Sequence, residues 1–144
     1  MRRLLVLQHL ERERPGLFVQ IAEERGFIVC NFRLDLGDSL PELRNGDLLL
    51  VLGGPMSIRD IGTETYPWLN EEVVLIKEAL KQGVGIIGVC LGSQLLAYAA
   101  GGDVEVLQEE VFHKPLAEIG WDNVFPISLK NNCKITKLLS HPLP

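Results

Sequence analysis

Aromatic side chains make up only 6% of the 144 residues, so an aliphatic core is expected rather than one built on stacked rings. Cysteine is equally sparse. Cys30, Cys90 and Cys133 are odd in number and show no CxxC spacing, which argues against both a disulfide framework and a zinc cluster, and no metal or other cofactor is expected. Basic blocks are missing as well: 14 Lys and Arg against 19 Asp and Glu leave a net charge of -5, without the electrostatic footprint of a nucleic-acid binder. No apolar run approaches the roughly 20 residues that span a bilayer, so no membrane association is expected. The charged "ERER" of "MRRLLVLQHLERERP" arrives too soon after the first apolar stretch for a signal peptide. A reducing cytoplasm is the compartment these absences favour. Internal repeats, low-complexity tracts and linkers are also lacking.

What is present is a chain with 47% hydrophobic residues, of a length suited to one compact domain covering residues 1–144. Apolar runs alternate with helical patterns. "RLLVLQ" (3–8), "FIVCNF" (27–32), "DLLLVL" (47–52) and "VGIIGV" (84–89) read as buried strands. "GLFVQIAEERG" (16–26) reads as a short amphipathic helix closed by Gly26. From Tyr66 to Gln82, Leu69, Val73, Ile76 and Leu80 recur at spacings of three and four, with Pro67 suited to the first turn and Gly83 to the stop. "SQLLAYAA" (93–100) predicts a further helix, and "DVEVLQ" (103–108), "EIGW" (118–121) and "NVFPISL" (123–129) short strands. Strand and helix in alternation imply an α/β fold, a parallel sheet covered on both faces.

The stretch "GVGIIGVCLGSQLLA" (83–97) spells two motifs at once. Gly83, Gly85 and Gly88 give GxGxxG, a dinucleotide-binding turn, but that motif needs a strand before it and a helix opening from its last glycine. Here a helix comes before Gly83 and the glycines fall at its stop and within the strand, which leaves no loop to cradle a phosphate. The nearby "LGGPMS" lacks the ending of a P-loop. Gly88, Cys90 and Gly92 give GxCxG, with a strand running into Cys90 and a helix following it, the setting of a nucleophile elbow. Gly88 and Gly92 would remove side chains that collide at the sharp turn, and strain is expected at Cys90 itself. A thiol there sits at a helix N-terminus, where free N–H groups and the positive end of the dipole stabilise negative charge, and the Leu91 N–H is placed to receive an oxyanion. Cys30 and Cys133 have no such setting and read as structural.

With these residues in hand, the sequence resembles the class I glutamine amidotransferases, especially the GMP-synthase-like branch. "VLGGPMSIRD" (51–60), "PWLNEE" (67–72), "GVCLGSQLLAYAAGGDV" (88–104) and "EIGW" carry the likeness, in family order. The resemblance implies a flavodoxin-like sheet and a Cys90 nucleophile that attacks the side-chain amide of glutamine. A γ-glutamyl thioester would form, and ammonia would pass to an acceptor on a synthetase domain or subunit. It also implies that the Gly53-Gly54 loop offers the Gly54 N–H to the oxyanion beside Leu91, with Gly53 and Gln94 near the bound glutamine. A loop after one strand and a thiol after another would meet at the carboxyl edge of a single parallel sheet.

The family completes its catalytic triad with a downstream His-x-Glu, or His-x-Asp. The three histidines are His9, His113 and His141, and two residues beyond them stand Glu11, Pro115 and Leu143. The expectation is a domain incomplete at its C-terminus relative to the family, with impaired catalysis and apolar surface left open to self-association, as a homo-oligomer, or to a covering partner. His9, after the first strand, is a substitute base or has a structural or solvated role; His113 and His141 are expected on the surface. Two alternatives to an impaired amidotransferase stay open: a non-catalytic interaction module of the same fold, and a γ-glutamyl or other thiol hydrolase.

Overall fold

Aliphatic runs that each follow a charged residue, Arg3 and Asp47, make the two central strands. The structure, a computed structural model, describes residues 1–104 together with two short strand pieces beyond them. Strand β1 (Arg3–Gln8) pairs in parallel with β2 (Ile28–Arg33) on one side and β3 (Leu48–Val51) on the other, and β3 pairs in parallel with β4 (Gly85–Gly88). The sheet order is β2-β1-β3-β4, the arrangement of a flavodoxin-like fold.

Side chains alternate along β1 and β3, and both faces are buried. Leu5, Leu7, Leu49 and Val51 pack beneath helix α2 (Trp68–Gln82) and helix α3 (Leu91–Ala99), meeting Leu69, Val73, Ile76, Leu91 and Leu95. Leu4, Val6, Leu50 and Leu52 face the other way, toward Ala22 of helix α1 (Leu17–Glu24). Helices therefore cover both faces, as a parallel sheet requires. Cover is thinner on the α1 side, where Phe18, Ile21, Phe27 and Ile87 line an open apolar depression.

The predicted elements are found with small shifts. Helix α2 starts at Trp68, with Pro67 as its cap rather than within its first turn, and Gly83 ends it at φ 74°. That left-handed conformation suits a residue without Cβ. Helix α3 begins at Leu91, two residues before the predicted start. Asp103 and Val104 lie outside any strand, and the remainder of "DVEVLQ", along with "EIGW" and "NVFPISL", falls outside the described residues. The chain divides into two compact units, Met1–Val104 and Glu105–Pro144. In the second, β5 (Glu110–Val111) and β6 (Lys114–Pro115) form an antiparallel pair.

Candidate active site

Parallel strands in register deliver their following residues to one edge. Leu7 of β1 is level with Val51 of β3, which is level with Gly88 of β4. His9, Gly53 and Cys90 therefore leave the sheet side by side. The chain leaves β1 for β2 on one side and returns to β3 on the other, so this is the switch point where such sheets open a crevice.

Cys90 occupies the bend between β4 and α3. Its φ of 52° and ψ of -113° make it the one non-glycine residue at positive φ among the described residues. The bend is fixed from both sides: the Val89 N–H donates to the Val51 carbonyl at 2.9 Å, while the Gly92 N–H donates to Val89 and the Ser93 hydroxyl donates to the Cys90 carbonyl at 2.6 Å. The flanking glycines are required by packing. A Cβ on Gly88 would stand 2.6 Å from the Gly92 carbonyl oxygen, and one on Gly92 would run into the backbone carbonyl of Val51. The dinucleotide reading finds no loop, since Gly83 caps α2 and Gly85 and Gly88 lie in β4.

The residues implied by resemblance come together here. Gly53 is buried against Cys90; a Cβ built on it would lie 3.4 Å from the Cβ of Cys90. Gly54 is just as tightly placed, its missing Cβ 3.2 Å from the Leu91 side chain and 3.0 Å from the sulfur of Met56. Beyond it, Ser57 and Asp60 form a capping box that pins the segment, the Ser57 N–H donating to Asp60 at 2.8 Å. Gln94 is half-buried on the first turn of α3, its N–H donating to the Cys90 carbonyl at 3.2 Å. Among the described residues, neither the Gly54 nor the Leu91 amide donates a hydrogen bond. The Cys90 thiol is exposed, whereas Cys30 is partly buried against the core from β2; Cys133 lies outside the described residues.

His9 is fully buried and both its ring nitrogens are engaged. Nδ1–H donates to the Gly53 carbonyl at 3.1 Å, and Nε2 faces Glu72 Oε1 at 2.6 Å. Burial works against a charged ring, but the hydrogen bond and charge of Glu72, with help from the Gly53 carbonyl, outweigh it and hold the His9 pKa above the ordinary histidine value. A ring so occupied is not free to deprotonate a thiol, and the substitute-base reading gives way to a structural one. His113 and His141 lie outside the described residues.

Two acids at this edge were not foreseen. Glu72 had a visible signal, because it falls three residues after Leu69 and four before Ile76, on the apolar stripe of α2. Glu13 had none. Its carboxylate reaches Gly53 because the chain turns back after β1, where the buried Gln8 side chain donates to the Leu10 carbonyl at 2.8 Å and accepts from Asn31 at 3.0 Å.

A doubly wound parallel sheet with a strained cysteine at a strand-to-helix bend defines an α/β protein of the elbow type. Residues 19–141 match the family described as glutamine amidotransferase class-I, most of the chain's length. The chain belongs to that family. It is 35% identical to the glutamine amidotransferase-like protein YfeJ of Salmonella typhimurium over 112 residues, which cover 75% of this chain and 46% of that protein. It is 32% identical to the glutamine-hydrolyzing GMP synthase of Clostridium novyi over 84 residues, 58% of this chain and 14% of the relative. The crystal structure of a glutamine amidotransferase from Thermotoga maritima superposes with a TM-score of 0.61 at 34% identity, covering 69% of this chain and 43% of that one. The chain thus spans less than half the length of these relatives.

Proposed function

We propose that this chain carries the nucleophile half of a glutamine-hydrolysing site. Cys90 attacks the side-chain amide of glutamine, the Gly54 and Leu91 amides receive the oxyanion, and Gly53 and Gln94 line the place of the substrate side chain. A γ-glutamyl thioester forms as ammonia leaves for an acceptor, which in the manner of the GMP synthase relative is a synthetase domain or subunit. The observation that carries this reading is Cys90 at φ 52°, exposed, between β4 and α3 and against Gly53. Backbone strain at a reactive position is characteristic of functional sites.

Neither histidine downstream of Cys90, His113 or His141, is followed by an acid at the second position. Turnover by these 144 residues alone is therefore impaired. The test is labelling with a glutamine-analogue chloromethyl ketone: Cys90 reacts faster than Cys30 or Cys133, and equal rates at the three thiols remove the assignment. The open apolar depression lined by Phe18, Ile21, Phe27 and Ile87 supports a second reading, a non-catalytic module that binds a synthetase or a second copy of itself. Glutamine turnover that is abolished by Cys90→Ser eliminates it.

A further inference from the structure

Gly-Gly peptides flip with little resistance, since neither residue has a Cβ to restrict φ and ψ. A donor amide on such a loop is useful for catalysis only if something fixes its direction beforehand. We propose that the buried His9–Glu72 pair is that fixing device: His9 anchors the Gly53 carbonyl, Glu72 holds His9, and the two together set the orientation of the Gly54 N–H. This inference rests on the glutamine-site reading and assigns two positioning residues to it.

The geometry makes the link through a single peptide plane. His9 Nδ1–H holds the Gly53 oxygen at 3.1 Å. The peptide is trans, so its C=O and N–H point in opposite directions. Anchoring the carbonyl against the ring turns the Gly54 N–H away from it and leaves it without an acceptor among the described residues. The ring itself cannot tilt, because Nε2 is tied to Glu72 Oε1 at 2.6 Å and both side chains are fully enclosed. Sequence separation of 63 residues makes this a tertiary clamp between the end of β1 and the first turns of α2.

Stability alone does not account for the pair. Burying an acid and an imidazole costs several kcal/mol per ion, and apolar residues of similar volume commonly serve a core as well or better. Glu72 Oε2 is buried and has no hydrogen-bond partner among the described residues, so the network is not even fully satisfied. An unsatisfied buried oxygen calls for an explanation other than packing. Among the described residues, the one polar group outside the pair that its side chains hydrogen-bond is the Gly53 carbonyl, reached by His9, in the loop that lies against Cys90.

The experiment compares two reagents on Cys90 in the full chain. A glutamine-analogue chloromethyl ketone reacts through a tetrahedral adduct whose oxygen needs the donor amides, while iodoacetamide is displaced directly and needs none. Glu72→Gln and His9→Gln are expected to slow the ketone by roughly tenfold or more, the scale of a compromised oxyanion donor, with the iodoacetamide rate within about twofold of the parent. The double change His9→Leu with Glu72→Leu removes both buried ionisable groups together, leaving only the Gly53 carbonyl without its donor, and decides the matter where a single variant does not fold. A ketone-to-iodoacetamide ratio unchanged in any folded variant overturns the inference. Cys90 of the parent chain reacting with the ketone no faster than Cys30 overturns the glutamine-site reading, and this inference with it.

Discussion

The α-carbon of Gly92 is packed directly on the backbone carbonyl of Val51, leaving no volume for a Cβ. One end of the contact is the first turn of α3 and the other is the last residue of β3, so this single approach sets how closely the elbow sits on the sheet. Backbone cannot move aside as a flexible side chain can. Gly92→Ala is expected to cost about 3 kcal/mol or more, and Gly88→Ala, which meets the Gly92 carbonyl, a comparable amount. Gly83→Ala is the comparison: its surroundings are open and only its φ of 74° is at stake, so about 1 kcal/mol is expected. Chemical denaturation of the three variants measures the ranking, and a Gly92→Ala loss no larger than that of Gly83→Ala contradicts the packing argument.

Cys90 pays a conformational cost for its place on the bend. A non-glycine residue at positive φ is strained by about 1–3 kcal/mol, and glycine relieves that strain while adding roughly 0.5–1 kcal/mol of unfolded-state entropy. Cys90→Gly is therefore expected to raise stability by about 1 kcal/mol, and Cys90→Ala to leave it nearly unchanged. The elbow would then be more stable without its thiol than with it. Equal or lower stability of Cys90→Gly in denaturant melts would show that the bend is unstrained.

Much of this was legible from local pattern. The run from Arg3 to Gln8 has no interruption and lies between a charged and a polar residue, and the spacing of Leu69, Val73 and Ile76 admits only one helical face, so β1 and α2 could be placed nearly residue for residue. The steric role of Gly88 and Gly92 was readable too, because a strand-to-helix turn restricts its neighbours whatever the protein. Contacts between distant segments were not readable. Nothing near His9 indicates that its partner lies on α2, and nothing near Glu13 indicates that it ends beside Gly53. Those positions follow from strand order and from the turn that Gln8 braces, and a single sequence specifies neither by periodicity.

Gly53 separates stability from access. A Cβ there would meet the Glu13 carboxylate and approach the Cβ of Cys90. Glu13 is the far end of a flexible side chain and can swing away, so Gly53→Ala is expected to cost less than about 1 kcal/mol of stability. The added methyl group nevertheless stands where the substrate side chain is proposed to lie. Labelling of Cys90 by the chloromethyl ketone should slow by roughly 10- to 100-fold, the scale of a misplaced reactant. Undiminished labelling would place the substrate elsewhere.

The His9–Glu72 pair gives stability a pH dependence of definite sign. The Gly53 carbonyl can only accept, so Nδ1 carries a hydrogen, and Nε2 lies 2.6 Å from Glu72 Oε1, whose hydrogen bond and charge favour the protonated ring. Glu72 faces it from α2, and Asp35, in the turn after β2, adds a weaker attraction. The folded-state pKa is raised above the unfolded value of about 6.5. Below that value both states hold the proton and the full contribution is present; as pH rises through the raised folded value, the folded state gives the proton up and the contribution is lost. The parent should therefore lose stability on the alkaline side relative to the His9→Leu, Glu72→Leu double variant, which has no proton to release there. Denaturation midpoints of both proteins from pH 6 to 9 supply the comparison, and imidazole nitrogen shifts of His9 locate the transition. Parallel curves for the two proteins would mean that the His9 pKa is not raised in the fold.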